Sequence, residues 1–478
     1  MKSNEAKIPP EGVSRDSILS ELENMKTNDI KWRAGRSFSY VYFAGDEILS
    51  LVQEAYLKYF SSNALNPSAF QSLRRMESEV VRMSAHLFQG GEDISGSMTS
   101  GGTESILMAV KTAREWARRT RGQQSGWEIV LPASAHPAFH KACHYFDVKP
   151  VNVAVGDDFR ALPEQMAAAV NERTVMLVGS APSYPHGLVD PISEIAAIAK
   201  DKGLLCHVDA CVGGFMLPFL RAANYPIPAF DFAVEGVTSI SADIHKFGYA
   251  AKGASVVLYR TGELRKDQFY VYTDWSGGIY GSPTMTGTRP GGAIAAAWAV
   301  MRFIGMDGYI EKARLSMETA LKIRAALTAI PGLKVLGQPD MCIFALSSDE
   351  FDIYEVGDEL GLMGWSIDRQ QLPPSLHFTI TPTHVDVVDE LVADVTAAVR
   401  KARRWDLNKL GKAVQLKTLK GLKKVLPDSA MGKLQQTAAK HSSVGGKRSA
   451  AMYGMMGELQ GSGNLEDMVK VFLDKLLE

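Results

Sequence analysis

Between about residues 95 and 260, short apolar runs alternate with segments in which apolar residues recur at helical spacing. In the helical segment 191–200, for example, Ile192, Ile195 and Ala199 fall on one face. The apolar runs predict strands at 128–131, 174–180, 204–208, 239–242 and 255–259. Strands that alternate with helices are typical of βαβ units, so this part of the chain predicts a large α/β domain with a mostly parallel sheet.

After Pro290 the pattern changes to helices at 292–303 and 309–330, followed by a mixture of strands and helices. Strands are predicted at 333–336, 341–346 and 377–381, and helices at 353–362 and 384–403. This mixture favours a smaller C-terminal α+β domain. We therefore divide the chain into an N-terminal segment (1–90), a large domain (91–305), a small domain (306–405) and a C-terminal extension (406–478).

Composition agrees with a large globular enzyme or binding protein. The chain has 478 residues, 46% of them hydrophobic, and a formal net charge of −1. This length and apolar content predict two domains, and the balanced charge argues against an overall basic surface that would bind nucleic acid. Within this balance, residues 400–448 hold 14 Lys or Arg and two acids, a charge of +12, so the rest carries −13. Two interpretations of this basic stretch stay open: a solvated helical extension, or a surface that contacts anionic membrane lipid or substrate.

Several absences define the expected compartment. The four cysteines form neither a disulfide framework nor a paired CxxC zinc motif, and the first residues lack the apolar stretch of a secretory signal. The longest apolar run, 293–301, ends at Arg302 and is shorter than the roughly 18 to 20 residues that span a bilayer. The sequence therefore predicts a soluble protein of a reducing, cytoplasmic compartment.

The segment SISADIHKFGYAAKG, residues 239–253, places His245 and Lys246 directly after a predicted strand. An amine at the mouth of a sheet can lose its hydration and become a nucleophile, as a Schiff base to an aldehyde cofactor requires. The alternative is an ordinary surface lysine at a strand end.

A second strand, in HVDACVGGF (207–215), ends in Asp209, 37 positions before Lys246. Ligands of open α/β sheets bind at this carboxyl edge, and a carboxylate there can pair with a protonated ring nitrogen of pyridoxal 5'-phosphate. Asp209 could instead cap the following turn.

Two further segments carry weaker signals. TSGGTESILMAVKTAREW (99–116) leads two glycines into an amphipathic helix, whose free N–H groups and Thr103 hydroxyl suit a phosphate. In SAHPAFHKACHYF (134–146), His136, His140 and His144 lie at helical spacing. Without a CxxC or HExxH pattern we expect no metal site there. We expect instead that one ring, that of His136, lies over the face of a flat cofactor.

In combination these motifs, with GGIYGSPTMTGTRPGG (277–292), resemble the pyridoxal-phosphate enzymes of aspartate-aminotransferase fold (fold type I) that include the group II amino-acid decarboxylases. Within that group they look most like the sphingosine-1-phosphate lyase family, in the same order and nearly the same spacing, over roughly residues 30–400. The resemblance implies a homodimer with two shared sites, on which the N-terminal segment packs, and a cofactor, pyridoxal 5'-phosphate, bound in the large domain.

The resemblance also implies roles for individual residues. Lys246 matches the Schiff-base lysine, Asp209 the partner of the pyridine nitrogen, and His136 the ring stacked on the cofactor. The positions that match the cofactor-phosphate site are Gly102, Thr103 and His245, with Gly281 and Ser282 from the other subunit. Since Lys252 and His245 lie nearby, we expect a lowered pKa for the Lys246 amine.

For the substrate, the family's phosphate-recognition positions fall on Tyr42, Asn66 and Lys252. The family usually has histidine in place of Asn66, and a neutral amide adds no positive charge. Tyr184, in APSYPHG, matches a tyrosine near the reacting carbon, and Tyr453, in AMYGMMG, matches another more loosely.

The implied reaction is retro-aldol cleavage of a phosphorylated long-chain base to a long-chain aldehyde and phosphoethanolamine. Tyr184, a water or the cofactor phosphate are candidates for the base that removes the C3 hydroxyl proton. Two alternatives stay open: an amino-acid decarboxylase on the same scaffold, and a non-catalytic lipid-binding protein.

Overall fold

The computed structural model describes residues 7–66 and 68–404 and, beyond them, positions 450, 453, 466, 467, 469–471, 473 and 474. The helices are α1 (Arg15–Met25), α2 (Asp46–Lys58), α3 (Gln71–Leu87), α4 (Gly102–Arg121), α5 (Ala138–Phe146), α6 (Pro163–Ala169), α7 (Ile192–Asp201), α8 (Leu217–Ala222), α9 (Gly262–Lys266), α10 (Gly291–Thr328), α11 (Ile353–Leu362) and α12 (Val388–Arg403). The strands are β1 (Ser95–Thr99), β2 (Glu128–Pro132), β3 (Lys149–Val153), β4 (Thr174–Ser180), β5 (Leu205–Asp209), β6 (Ser239–Ala242), β7 (Ser255–Tyr259), β8 (Tyr270–Trp275), β9 (Gly278–Ser282), β10 (Lys334–Val335), β11 (Ile343–Ser347), β12 (Asp368–Gln371) and β13 (Pro374–Thr379). Short 3-10 helices occupy Lys26–Asn28, Trp32–Ala34 and Pro382–Val387.

A seven-stranded sheet forms the large domain, in the order β1-β7-β6-β5-β4-β2-β3. Strands β3, β2, β4, β5 and β6 run parallel to one another, and β7 pairs antiparallel with β6 and β1. The predicted α/β fold with a mostly parallel sheet is confirmed. The sequence pattern missed β1 and β3, because β1 is rich in small polar residues and β3 is a partly exposed edge strand.

The central strands are buried on both faces, which explains why they appear in the sequence as nearly continuous apolar runs. Successive side chains of a strand point to opposite faces. Thus Ile129 and Leu131 join a core with α4 and α5, whereas Val130 joins the core that contains α7 and α8. With helices on both faces, the open ground for a ligand is at the carboxyl ends of the strands.

The small domain is a four-stranded antiparallel sheet, in the order β10-β11-β13-β12, with α11 packed against β13 and α12 packed against α11. The predicted elements are present with bounds shifted by a few residues. The sequence missed β12, whose DRQQ segment has no apolar residue to mark it as a strand. The predicted helix 384–403 begins later, at Val388, after the 3-10 turn Pro382–Val387.

Helix α10 links the two parts, and Gly305 (φ 63°, ψ 178°) breaks it between the two helices that the sequence predicted. Among the described residues, it is the one helix that is long and apolar enough, by length and composition, to cross a membrane. Its first two turns, from Gly291 to Ala297, are buried in the protein core. The helix packs against α2, α3 and α8. The basic extension proposed for 406–478 lies almost wholly outside the described residues.

Candidate active site

A cavity of about 380 Å³ lies at the carboxyl ends of β4, β5 and β6, against the beginning of α4. Parallel strands bring residues far apart in sequence to one edge of the sheet. Seven of the residues singled out from the sequence line it: Gly102, Thr103, His136, Tyr184, Asp209, His245 and Lys246.

Lys246 lies in the turn that follows β6, and its Nζ is 2.9 Å from Oδ2 of Asp243. Burial alone lowers the pKa of this amine, but the Asp243 carboxylate, with Tyr42 and Cys211 nearby, outweighs burial and raises the pKa above that of an ordinary lysine. The expected lowered pKa was wrong. The sequence placed only cations beside Lys246 and overlooked the carboxylate one helical turn before it.

Asp243 is the main site residue that the sequence reasoning missed. Its side chain is 2% exposed, and Lys246 and His245 hold its pKa below the ordinary value although burial opposes this. Among the described residues, Oδ1 has no hydrogen-bond partner. The signal was present in the DIHK segment, where an acid three residues before a lysine can form an ion pair in a turn.

Asp209 ends β5 at the cavity wall and is 7% exposed. Its Oδ1 accepts hydrogen bonds from the backbone N–H of Cys211 at 3.0 Å and from the Ser241 hydroxyl at 3.3 Å. Asp209 therefore stabilises the following turn, as one of the two alternatives predicted, and it also faces the cavity, while its pairing with a ring nitrogen stays a prediction. Both bonds use one oxygen and fix the orientation of the carboxylate.

The beginning of α4 supplies backbone N–H groups without a side-chain cap, since the residue before the helix is Gly101. A Cβ at Gly102 would lie 2.8 Å from Sγ of Cys211 and 2.9 Å from Oδ2 of Asp243. Only glycine fits there. The backbone N–H groups at Gly101 and Gly102, which we call the glycine cradle, are bounded by Cys211 and Asp243 on one side and are open to the cavity on the other. This arrangement suits a phosphate group.

Two histidines border the cavity. Nδ1 of His136 accepts a hydrogen bond from the backbone N–H of Ala138 at 3.1 Å, which leaves Nε2 to carry the proton of the neutral ring. His245 is largely buried, and burial, reinforced by Lys252, lowers its pKa although Asp243 opposes this. His245 is therefore neutral near pH 7 and can act as a hydrogen-bond donor or acceptor rather than as a cation.

Tyr184 enters the cavity from the loop after β4. Its ring stacks on His377 of β13 at 4.1 Å between centroids, and its hydroxyl donates to Oδ2 of Asp368 at 3.4 Å. Burial and the Asp368 charge raise the pKa of Tyr184 well above that of free tyrosine. Near neutral pH Tyr184 is therefore a phenol, which weakens the case for it as the base.

Tyr42 and Lys252 approach the same region from outside the cavity. The Tyr42 ring packs edge-on against the Phe247 ring, with 4.9 Å between centroids, and Lys252 Nζ lies 5.3 Å from the centre of the Tyr42 ring. Burial raises the pKa of Tyr42 to about 12, partly opposed by Lys246. The structure thus brings two of the three residues assigned to substrate phosphate close to the reactive lysine.

Four other predicted site residues do not line this cavity within their own chain. Asn66 is exposed in a turn, where its Oδ1 accepts the backbone N–H of Ser68 at 2.9 Å. Gly281 and Ser282 lie on the β8–β9 hairpin, and the Ser282 hydroxyl donates to the backbone carbonyl of Thr284. Tyr453 packs on Tyr354, with ring centroids 5.7 Å apart, beside the small domain.

Fold and cavity chemistry suit pyridoxal phosphate. A reactive amine, a fixed carboxylate at the end of the neighbouring strand β5 and a glycine cradle for phosphate face one cavity. The orphaned Oδ1 of Asp243, buried beside that amine, is a further unsatisfied acceptor at the place where a polar ligand would bind.

Comparison with known proteins agrees with this geometry. The model of the pyridoxal-dependent decarboxylase conserved domain matches residues 1–343. Sphingosine-1-phosphate lyase from Oryza sativa subsp. japonica is 44% identical over 400 residues, which are 82% of this chain and 74% of that protein. L-aspartate decarboxylase from Thermococcus kodakarensis is 33% identical over 365 residues, 76% of this chain and 92% of that protein.

Among solved structures, the sphingosine-1-phosphate lyase of Burkholderia pseudomallei superposes with a TM-score of 0.81 at 41% identity. The match covers 88% of this chain and 98% of that one.

Proposed function

This chain belongs to the sphingosine-1-phosphate lyases within the pyridoxal-dependent decarboxylase family, and we propose that it cleaves sphingosine-1-phosphate, or a related phosphorylated long-chain base, to a long-chain aldehyde and phosphoethanolamine. The observation that carries the proposal is the Lys246–Asp243 pair in a cavity that also presents Asp209 and the open glycine cradle. The protein is a pyridoxal-phosphate-dependent lyase.

In the proposed site, Lys246 would hold the cofactor, with Asp209 as the partner for its ring nitrogen and His136 against its ring. Gly102 and Thr103 at the beginning of α4, with His245, would bind its phosphate. When bound, pyridoxal phosphate supplies an electron sink for the carbon–carbon bond cleavage.

The protein residues then bind and orient the substrate. In this proposal Lys252 and Tyr42 bind the phosphate of the substrate, which directs the C2 amine toward Lys246. The Asp243 carboxylate stabilises the protonated form of the free Lys246 amine until that amine reacts. Tyr184, whose hydroxyl proton is donated to Asp368, accepts a hydrogen bond from the C3 hydroxyl, while a water or the cofactor phosphate remains the candidate for removing the hydroxyl proton.

Two shared sites in a homodimer follow from the same proposal. Gly281 and Ser282 lie on a hairpin whose outer face exposes aromatic side chains, among them Tyr272 and Trp275. We propose that a second copy covers this face and receives the hairpin at its own cofactor phosphate. Mixed dimers of Lys246→Ala with Ser282→Trp subunits would test it, because one intact site forms per mixed dimer only if the hairpin crosses. No recovered activity on mixing contradicts the shared site.

Cytoplasmic location, and contact of the basic extension 406–478 with anionic membrane lipid, are also proposals. Co-sedimentation with phosphatidylserine vesicles at two salt concentrations tests the contact, since an electrostatic attraction weakens as salt rises.

The central experiment incubates the cofactor-loaded protein with sphingosine-1-phosphate and, separately, with a panel of amino acids. We expect aldehyde and phosphoethanolamine from the lipid. Carbon dioxide from an amino acid, with no aldehyde from the lipid, would instead support the decarboxylase. Lys246→Ala should abolish both turnover and borohydride-trapped cofactor. If the protein binds the lipid but binds no cofactor and forms no product from any of these substrates, the non-catalytic alternative is supported.

A further inference from the structure

Within the N-terminal segment, residues 37–43 join the small domain to the cavity. Its first residues extend the small sheet: the backbone N–H of Phe38 donates to the carbonyl of Ser366 at 3.1 Å, and that of Thr379 donates to the carbonyl of Phe38 at 3.2 Å. Four residues later, Tyr42 contacts Phe247, next to the reactive lysine. The segment therefore has one end fixed to the small domain and the other at the proposed substrate site.

Between these ends the chain turns sharply at Tyr40. This residue has φ 69°, in the left-handed region that a bulky side chain rarely adopts. The neighbouring backbone closes the turn, because the N–H of Val41 donates to the carbonyl of Ser39 at 2.9 Å. Such a conformation persists only when surrounding contacts hold it.

Asp368, on strand β12, provides that contact. The Tyr40 hydroxyl donates to Oδ1 of Asp368 at 2.6 Å, and the Tyr184 hydroxyl donates to Oδ2 at 3.4 Å. One carboxylate of the small domain thus bonds two tyrosines from different segments. The first fixes the turn that leads to Tyr42, and the second lines the cavity.

We propose that Asp368 is a positioning residue: through Tyr40 it fixes Tyr42 at the substrate-phosphate site, and through its second oxygen it orients Tyr184. This inference rests on the proposed function, in which Tyr42 binds the substrate phosphate. The small domain then sets substrate affinity, although the cofactor residues all belong to the large domain.

The test separates the two arms with Tyr40→Phe, which removes only the first hydrogen bond, and Asp368→Ala, which removes both. On the cofactor-loaded enzyme, kcat and KM for the lipid are measured. The dissociation constant of phosphoethanolamine, by calorimetry, gives a readout that needs no turnover. Asp349→Ala is the control, because Asp349 is an exposed aspartate of the same domain.

We expect Tyr40→Phe to raise KM and the dissociation constant about 10-fold, about 1.4 kcal/mol, with kcat unchanged. Asp368→Ala should raise both by the same factor and also lower kcat, and the double variant should bind no more weakly than Asp368→Ala alone. Asp368→Asn keeps an acceptor oxygen and should retain KM within about threefold of the wild type.

Unchanged KM and dissociation constant in Tyr40→Phe would overturn the inference. So would a loss of kcat and thermal stability without any change of KM, or equal KM increases in Asp368→Asn and Asp368→Ala. If the wild-type enzyme does not cleave the lipid, the proposed function fails, and the calorimetric arm still decides whether Asp368 and Tyr40 position a phosphate site.

Discussion

The ion pair between Lys246 and Asp243 should control how fast the protein takes up its cofactor. Covalent attachment requires the neutral amine, whereas the carboxylate favours the protonated one. At 2.9 Å and an effective dielectric constant of about 20, the attraction is about 6 kcal/mol before burial is considered. At about 1.4 kcal/mol per factor of ten, this corresponds to about four powers of ten in the protonation equilibrium.

Burial acts in the opposite direction, and in Asp243→Asn it acts without opposition from the carboxylate. The pKa of Lys246 should fall, and the fraction of neutral amine near pH 7.5 should rise by at least roughly 100-fold, since only part of the ion-pair energy is lost to an amide. We therefore expect apoprotein carrying Asp243→Asn to attach pyridoxal phosphate faster than the wild type at this pH. The two rates should converge as the pH rises toward the range where wild-type Lys246 deprotonates.

To measure the rate of attachment, apoprotein is mixed with the cofactor, and aliquots are reduced with borohydride at set times. The labelled Lys246 peptide is then quantified by mass spectrometry. Asp349→Asn serves as the control for loss of an exposed aspartate. A rate–pH curve for Asp243→Asn that overlays the wild-type curve, or that is lower by one factor at every pH, would refute the role assigned to this ion pair.

Three other predictions address the cradle, the substrate and acid stability. Gly102→Ala should weaken cofactor binding more than tenfold in equilibrium dialysis, because the added methyl would collide with Cys211, whereas Gly91→Ala, with open space around it, should not; equal affinities would show that the cradle yields. Asn66→His should lower KM for the phosphorylated substrate, because a protonated imidazole adds the positive charge that the amide lacks, and an unchanged KM would remove this position from the site. Burial lowers the pKa of His207 to about 4, while unfolded histidine titrates near 6.5, so the unfolding free energy should fall as the pH drops from about 6.5 to about 4, by up to roughly 3 kcal/mol. Urea unfolding across this range should show a smaller loss for His207→Gln, and an identical loss would contradict the assignment.

The apolar pattern alone determined the class of fold and the place of the site. The central strands are buried on both faces, so their sequences are largely apolar or small; Asp209 ends one of them and Lys246 lies four residues after another. Carboxyl ends of parallel strands meet at one edge, which made their proximity predictable. Strand β12 carries no such signal, because an edge strand of polar residues resembles a loop in sequence.

Only the tertiary structure decided the electrostatics and the links between domains. The pKa of Lys246 depends on which charge lies nearest in space, and the turn after β6 brings Asp243 to its amine at 2.9 Å. Asp368 is 184 residues from Tyr184 and 328 from Tyr40. Local sequence patterns extend over a few residues, whereas a carboxylate that bonds both tyrosines exists only once the small sheet has packed against the N-terminal segment and the large domain.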